Sequence, residues 1–510
     1  MKQRKTAFLL ALLSFVFAVA LNEINLFFLR KEAKETKTEL LRYNQTIAGP
    51  DDSDYFTPPR NFINGKGWMD DSHPYGKAAF FWRTPGYMIF YMTFIRCFNE
   101  ETAHQLLKYV QVVLFSLSVY CLFFIIFFLT QSHKLSFAFT GLYGLTPLGP
   151  GILYLTLTES ITPALILFYI YFLLKAYFDD RSKKKNIFYS LSAFFIGYAI
   201  LTRPVLGILF LSLPLVVWAD YSRNNNLVAV MKKIFLFGSI ASVLIILWEI
   251  RSFAITGKIM SPQPLYYAES NIVYRPTFKH IWKFTKCWGE DATNLNRYLM
   301  PIYRNGIKGD SSEKYIHGAI AGMSTDVTAE IGRERIYSAL KDYQKTVLQQ
   351  KTFLDKNLPM PETISSEEEK VIEQFKAFST EFKSKRPLQY YLTSPWIYFK
   401  RISFHSNTAT YFIFQEKFRS VVVLNIIRYG LFAIHSLIYL LAFINLFFVR
   451  KTNKLIWCML IPVFIYMVFI LFIHREVDQR YFSPILVLLL ITASSTFQNL
   501  TTFVLQKKRK

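Results

Sequence analysis

Cysteine is scarce in this sequence: there are four in 510 residues, at positions 97, 121, 287 and 458, with no CxxC pair and no His/Cys spacing of a metal site. That excludes a disulfide scaffold and a structural zinc centre as organising devices. A single bridge between Cys97 and Cys287 stays open, because threading the chain through a membrane places both on the same side. A glycine-rich loop able to cradle nucleotide phosphates is also missing, so no nucleotide site is indicated. Acidic residues number 35 against 59 basic ones, a formal charge of +24. A nucleic-acid binder gathers such charge on one folded face. Here many of the lysines and arginines stand in short runs between apolar segments, so the partner implied is a membrane surface and not nucleic acid. No internal repeat is evident.

Apolar residues are what the chain has in excess. They make up 52% of it, aromatics alone 17%, and mean hydropathy is +0.23. One soluble core could not hide so much apolar surface.

Runs long enough to cross a bilayer, roughly 17 to 25 residues each, fall near 6–29, 106–130, 135–155, 160–178, 187–201, 204–219, 231–250, 421–449, 455–473 and 482–505. The expectation is an all-α polytopic membrane protein with about ten spans. The N-terminal MKQRK and the apolar stretch after it resemble a signal peptide with an Ala18-Val19-Ala20 cleavage site. Apolar character resumes through Ile24 to Leu29, however, and favours an uncleaved first span. With the N-terminus in the cytoplasm, MKQRK, SHK at 132–134, RSKKK at 181–185, Arg223 with Lys232 and Lys233, RKTNK at 450–454 and the final KKRK all fall inside. This is the bias expected of cytoplasmic loops.

The same threading divides the chain into an N-terminal transmembrane module, 1–250, whose first external loop covers 30–105, an external domain, 251–420, and C-terminal transmembrane helices, 421–510. The external domain carries helix signals of its own, with Ser366 and Glu369 as a capping box ahead of Val371, Phe375, Phe378 and Phe382. Thr202-Arg203-Pro204 reads either as a tight outer turn or as a kink inside one longer helix.

Charged residues at span ends that face one cavity are costly unless paired or solvated, which makes them functional candidates. Three aspartates, Asp51, Asp52 and Asp54, stand within four residues of the first external loop, and Glu159 and Arg83, Arg203, Arg251 and Arg480 lie at span ends. Plainer readings compete. The aspartates suit a solvated, turn-rich loop beside Gly49, Pro50, Pro58 and Pro59. The arginines suit interfacial anchors, and Glu159 suits the start of a helix.

Taken in order, Asp51-Asp52-Ser53-Asp54-Tyr55, then Gly65-Lys66-Gly67-Trp68, then Arg83-Thr84-Pro85-Gly86-Tyr87 resemble the first external loop of the GT-C glycosyltransferase superfamily, polytopic enzymes that take sugar from a polyprenyl-phosphate carrier. Protein O-mannosyltransferases and the bacterial aminoarabinose transferases belong to it. Glu159, Leu201-Thr202-Arg203-Pro204, Trp248-Glu249-Ile250-Arg251-Ser252 with Gly257 and Ser261, and Asp478-Gln479-Arg480-Tyr481 are similar to later motifs of that family. The resemblance covers residues 1 to about 260 and 480–490, and only loosely the external domain.

The resemblance implies a membrane glycosyltransferase that moves a sugar from a polyprenyl phosphate to an acceptor hydroxyl outside the cytoplasm, in a bacterial inner membrane. The acceptor is a lipid, a glycan or a protein. It makes Asp51 the general base, with Asp52 as runner-up and Asp54 behind both, and Tyr55 a substrate contact. Arg83 is the first choice for the lipid phosphate, with Arg203, Arg480 and Arg251 beside it. Chemistry agrees: the acceptor hydroxyl needs a base, and the departing phosphate needs fixed cations, which guanidinium supplies in bidentate fashion. Direct displacement inverts the anomeric centre, whereas retention would need a carboxylate nucleophile. No cofactor is demanded. A divalent cation between Asp51, Asp52 and Glu159 is permitted by charge, although no spacing requires it. A flippase for the same lipids and a non-catalytic membrane scaffold are the rival readings.

Overall fold

The computed structural model describes residues 2–36, 51–69, 83–222, 227–256, 259, 275–289, 292–356, 358, 361, 363–404, 418–445, 454–475 and 479–508. Nineteen α-helices run through them. In chain order they are α1 (Lys2–Thr36), α2 (Asp51–Ile63), α3 (Gly86–Ile95), α4 (Glu100–Thr130), α5 (His133–Gly144), α6 (Thr162–Phe178), α7 (Ser182–Thr202), α8 (Ser212–Tyr221), α9 (Leu227–Thr256), α10 (Pro276–Thr285), α11 (Ala292–Gly306), α12 (Lys314–Ala321), α13 (Thr325–Ile331), α14 (Arg333–Asp355), α15 (Ser366–Lys385), α16 (Ser394–Phe404), α17 (Val422–Ile444), α18 (Lys454–Val468) and α19 (Ser483–Lys508). No strand occurs among the described residues. An apolar chain in lipid must satisfy its backbone within itself, and the helix does so.

Among the described residues, eight helical segments are long and apolar enough to cross a membrane, and they mark an integral membrane protein. The sequence expectation is about ten. The run at 135–155 does not span: α5 stops at Gly144, and Pro147 and Pro150 break the chain beyond it into turns and a short 3-10 segment. At the Thr202-Arg203-Pro204 junction the turn prevails over the kink. Arg203 is extended (φ −151°, ψ 100°), and a 3-10 run from Pro204 to Leu211 leads into α8. Proline both lacks an N–H and pushes the preceding residue out of helical geometry. α7 has the length of a span, but three lysines and several hydroxyls dilute its hydropathy; it packs between α6 and α9.

One end of the bundle is uneven in height. Gln111 of α4 donates to the Leu153 and Leu155 carbonyls, just before α6, and Tyr466 of α18 donates to the Tyr481 carbonyl, just before α19. At 1.5 Å per residue, α4 therefore rises about 16 Å above that level and the α18 segment about 12 Å. α16 descends beside them: Ser394 meets Arg475 at the top of α18, and Ile402 reaches the level of Arg480. The starts of α6 and α19 and the end of α7 thus form a floor, beyond which α4 and α18 continue along their axes.

The helices α10 to α15 gather around their own core, in which Phe284, Trp288, Tyr343, Phe375, Phe378 and Phe382 are buried. The capping box lies one residue earlier than the sequence suggested, on Ser365 and Glu368. Glu368 is also taken by Arg275, whose Nη2 donates to it at 2.6 Å. Val371, Phe375, Phe378 and Phe382 are buried as their spacing predicts. Cys97 and Cys287 are both free thiols, one exposed and one buried, so the bridge left open by the sequence is not formed.

Arg475 ties this body to the spans. It sits in the left-handed region (φ 54°), and its guanidinium donates to the carbonyls of Tyr390, Lys286 and Cys287 and to Ser394 Oγ. It also lies 3.6 Å from the centre of the Tyr390 ring.

Candidate active site

Asp51 to Asp54 form the opening turn of α2, where carboxylates meet the positive end of the helix dipole. This corrects the reading of these residues as a turn-rich loop. The side chains of Asp51 and Asp52 lie outside the described residues, as do Gly257, Ser261 and Asp478. Helical spacing puts position 51 on the same face as Asp54 and Tyr55.

Asp54, ranked last of the three acids by sequence, is 5% exposed and accepts from Arg83 through Nε at 2.9 Å and Nη2 at 2.8 Å. The Arg83 guanidinium also lies 5.7 Å from the Tyr55 ring. Tyr55 in turn meets Tyr87 edge to face at 5.4 Å, and the Tyr87 hydroxyl donates to Gln111 at 2.6 Å.

A second cluster forms where α6 begins and α7 ends. Glu159, 3% exposed, accepts from Arg203 Nη1 at 2.6 Å and from the Thr158 hydroxyl at 2.8 Å. Arg480 Nε stands 3.8 Å from the same carboxylate. Arg203 also donates to the Arg480 carbonyl at 3.2 Å and covers the Tyr481 ring at 4.3 Å.

The two clusters share one support. Thr84, next to Arg83, donates to the carbonyl of Thr202, next to Arg203, at 3.0 Å, and Tyr198 donates to the Gly86 carbonyl at 2.8 Å. A Cβ on Gly86 would stand 2.4 to 2.6 Å from Thr202 atoms, so no larger residue allows this approach. In the loop after α2, Gly65 and Gly67 have φ of +76° and +85°, a region that side chains resist.

Arg251 occupies a different position from the other arginines. It donates to the Trp68 carbonyl at 3.1 Å and lies over the Trp248 ring at 4.5 Å, holding the loop after α2 against α9. Gln111 was not singled out in the sequence, although a glutamine inside a long apolar helix is itself a signal. His435 and Tyr439 of α17, which border a cavity beside Arg480, were missed as well.

The floor therefore gathers two carboxylates and three guanidinium groups from four distant stretches of chain, at the end of α6 remote from the basic Arg181-to-Lys185 run. Such a set can balance an anionic ligand and orient it. Among the described residues no group of three His, Cys, Asp or Glu is placed to hold a metal ion.

No family model matches the sequence, and no curated protein matches it. Among solved structures, the chain is similar to ArnT from Cupriavidus metallidurans bound to undecaprenyl phosphate, at 12% identity and a TM-score of 0.38, covering 96% of this chain and 77% of that one. It is also similar to the same protein in the apo state, at 13% identity and a TM-score of 0.33, covering 89% of this chain and 74% of that one.

Proposed function

We propose that the protein is a membrane glycosyltransferase that moves a sugar from a polyprenyl-phosphate carrier to an acceptor hydroxyl on the non-cytoplasmic side. The observation that carries the reading is the joining of Asp54–Arg83 to Glu159–Arg203–Arg480 through Thr84 and Thr202. Four stretches that resemble one enzyme family in their order along the chain meet at one floor.

In this reading the acceptor O–H gives its proton to the Asp51 carboxylate, with Asp52 as the alternative. The oxygen attacks the anomeric carbon, and the bond to the phosphate breaks with its electron pair moving onto the phosphate oxygen. Fixed guanidinium groups take up that growing charge without reorganising. One displacement inverts the anomeric centre. Arg480 borders a cavity, and that space is what makes it the group to meet the lipid phosphate, with Arg83 and Arg203 as its electrostatic background. Tyr55 shapes the donor side of the pocket. The basic runs lie at the opposite end of the helices, which supports the reading of this floor as non-cytoplasmic.

Purified protein supplied with polyprenyl-phosphate sugars and a panel of lipid, glycan and peptide acceptors tests this. Asp51→Asn should cut transfer by about 10²-fold or more while binding of the polyprenyl phosphate and thermal stability stay unchanged. Transfer that survives in both Asp51→Asn and Asp52→Asn would remove the carboxylate base from the mechanism, and absence of transfer to every acceptor class would favour a carrier or scaffold.

A further inference from the structure

Beneath Arg480 lies a cavity of about 40 Å³, several times the room that one water needs. It is bounded by Ile152 and Pro163 on one side, Ile402 of α16, His435 and Tyr439 of α17, and Leu486 of α19. Most of this lining is apolar, and Arg480 brings a positive charge to its edge. The imidazole of His435 adds a second polar group. Its Nδ1 lies 2.8 Å from the carbonyl oxygen of Leu431, one turn back in the same helix. A carbonyl only accepts, so Nδ1 carries a hydrogen. Nε2 then points away from the helix backbone, buried and with no hydrogen-bond partner among the described residues. A buried ring nitrogen left open costs stability unless something occupies it. Whatever fills this space meets a guanidinium, an imidazole and a mostly hydrocarbon wall.

We infer that His435 is a second anchor for the phosphate of the lipid carrier, donating from Nε2 to a phosphate oxygen that Arg480 also holds, with the first carbons of the lipid chain in the apolar remainder of the cavity. The inference rests on the proposed function and deepens it by assigning a residue outside every motif that suggested that function. With the phosphate in place both ring nitrogens carry hydrogens, one bonded to Leu431 and one to the ligand. The anion stabilises the charged ring that this requires. His435 acts on binding and position and takes no part in proton transfer to the acceptor.

Binding by the full-length protein in detergent, measured by native mass spectrometry, separates the outcomes. The probes are undecaprenyl phosphate, the corresponding alcohol undecaprenol, and inorganic phosphate. Wild type should prefer the lipid phosphate to the alcohol. His435→Ala should lose about tenfold or more in affinity for the phosphate with little change for the alcohol, and His435→Arg should restore the preference. His435→Gln, which keeps a donor near Nε2 and conserves volume, serves if the alanine variant does not fold, and should retain part of the preference. Equal discrimination in wild type and His435→Ala would overturn the assignment while leaving the proposed function standing. A wild type that ignores undecaprenyl phosphate altogether would remove the function and the assignment together. Inorganic phosphate bound as tightly as the lipid would overturn the lipid as the occupant.

Discussion

Neutralising one member of the Glu159–Arg203 pair leaves the other buried beside an apolar wall, and that asymmetry sets what single substitutions do here. Both side chains are largely enclosed, 4% and 10% exposed. Glu159→Gln should therefore destabilise the protein by about 3 kcal/mol or more, read as a fall in the thermal unfolding midpoint. Asp54→Asn should act similarly through Arg83, whereas Asp51→Asn should act on turnover alone. The contrast distinguishes acids that hold the floor from one that works on it. At this scale the sequence was partly legible. Arg83, Glu159, Arg203 and Arg480 were identifiable because charge at the end of an apolar span needs a reason. Which acid faces which arginine was not, since Asp51, Asp52 and Asp54 differ only by helical phase, and phase needs the start of α2. His435 was silent, because a lone histidine in an apolar helix announces nothing until a cavity is found beside it.

α16 is the element on which the α10-to-α15 body and the floor depend together. It descends from Arg475 toward Arg480, and Tyr398 within it donates to the Lys286 carbonyl at 2.9 Å. Arg475 reads several carbonyls at once, which a fork of five donors can do and a point charge cannot. Arg475→Lys should thus lower the unfolding midpoint, with a loss of roughly 2 kcal/mol from carbonyls left unmet. It should also depress activity through a displaced Arg480, so that retained activity with a lowered midpoint would show the two ends to be independent. Farther out, Ser365→Ala removes an N-cap of α15 and should cost about 1 kcal/mol, measurable by the same unfolding assay without loss of transfer. The helical pattern of α15 was legible from its phenylalanines. Arg475 was not, because its partners are backbone carbonyls from separate segments and leave no trace in composition.

Across the whole molecule, hydropathy and basic runs set the expectation of an apolar bundle and a polar body, and among the described residues eight segments are apolar and long enough to cross a membrane. Prolines at 147, 150 and 204 turn apolar stretches into floor segments, and hydropathy averages are blind to that. The α10-to-α15 body carries its own pH response. Hydrogen bonds from Arg335 and Lys385 hold the Glu381 carboxyl down at about 2, and Arg386 lowers that of Glu330. A free glutamate titrates near 4.3, so the folded form binds fewer protons than the unfolded one below that value. The stability from these pairs is complete above about pH 5 and is lost as pH falls toward 2. The unfolding midpoint should decline over that window, and Glu381→Gln should flatten the decline.

The uneven heights of the helices decide what shape of molecule can be served. A hydroxyl displayed on the flank of a rigid globule would be stopped at the lip, about 12 to 16 Å too high by the rise per residue of α18 and α4. An extended peptide covers about 3.3 to 3.6 Å per residue, so roughly four or five residues of slack, or a slim headgroup on a stalk, bring a nucleophile down to Arg480. Under the proposed function, girth and reach would sort acceptors before any contact with the sugar.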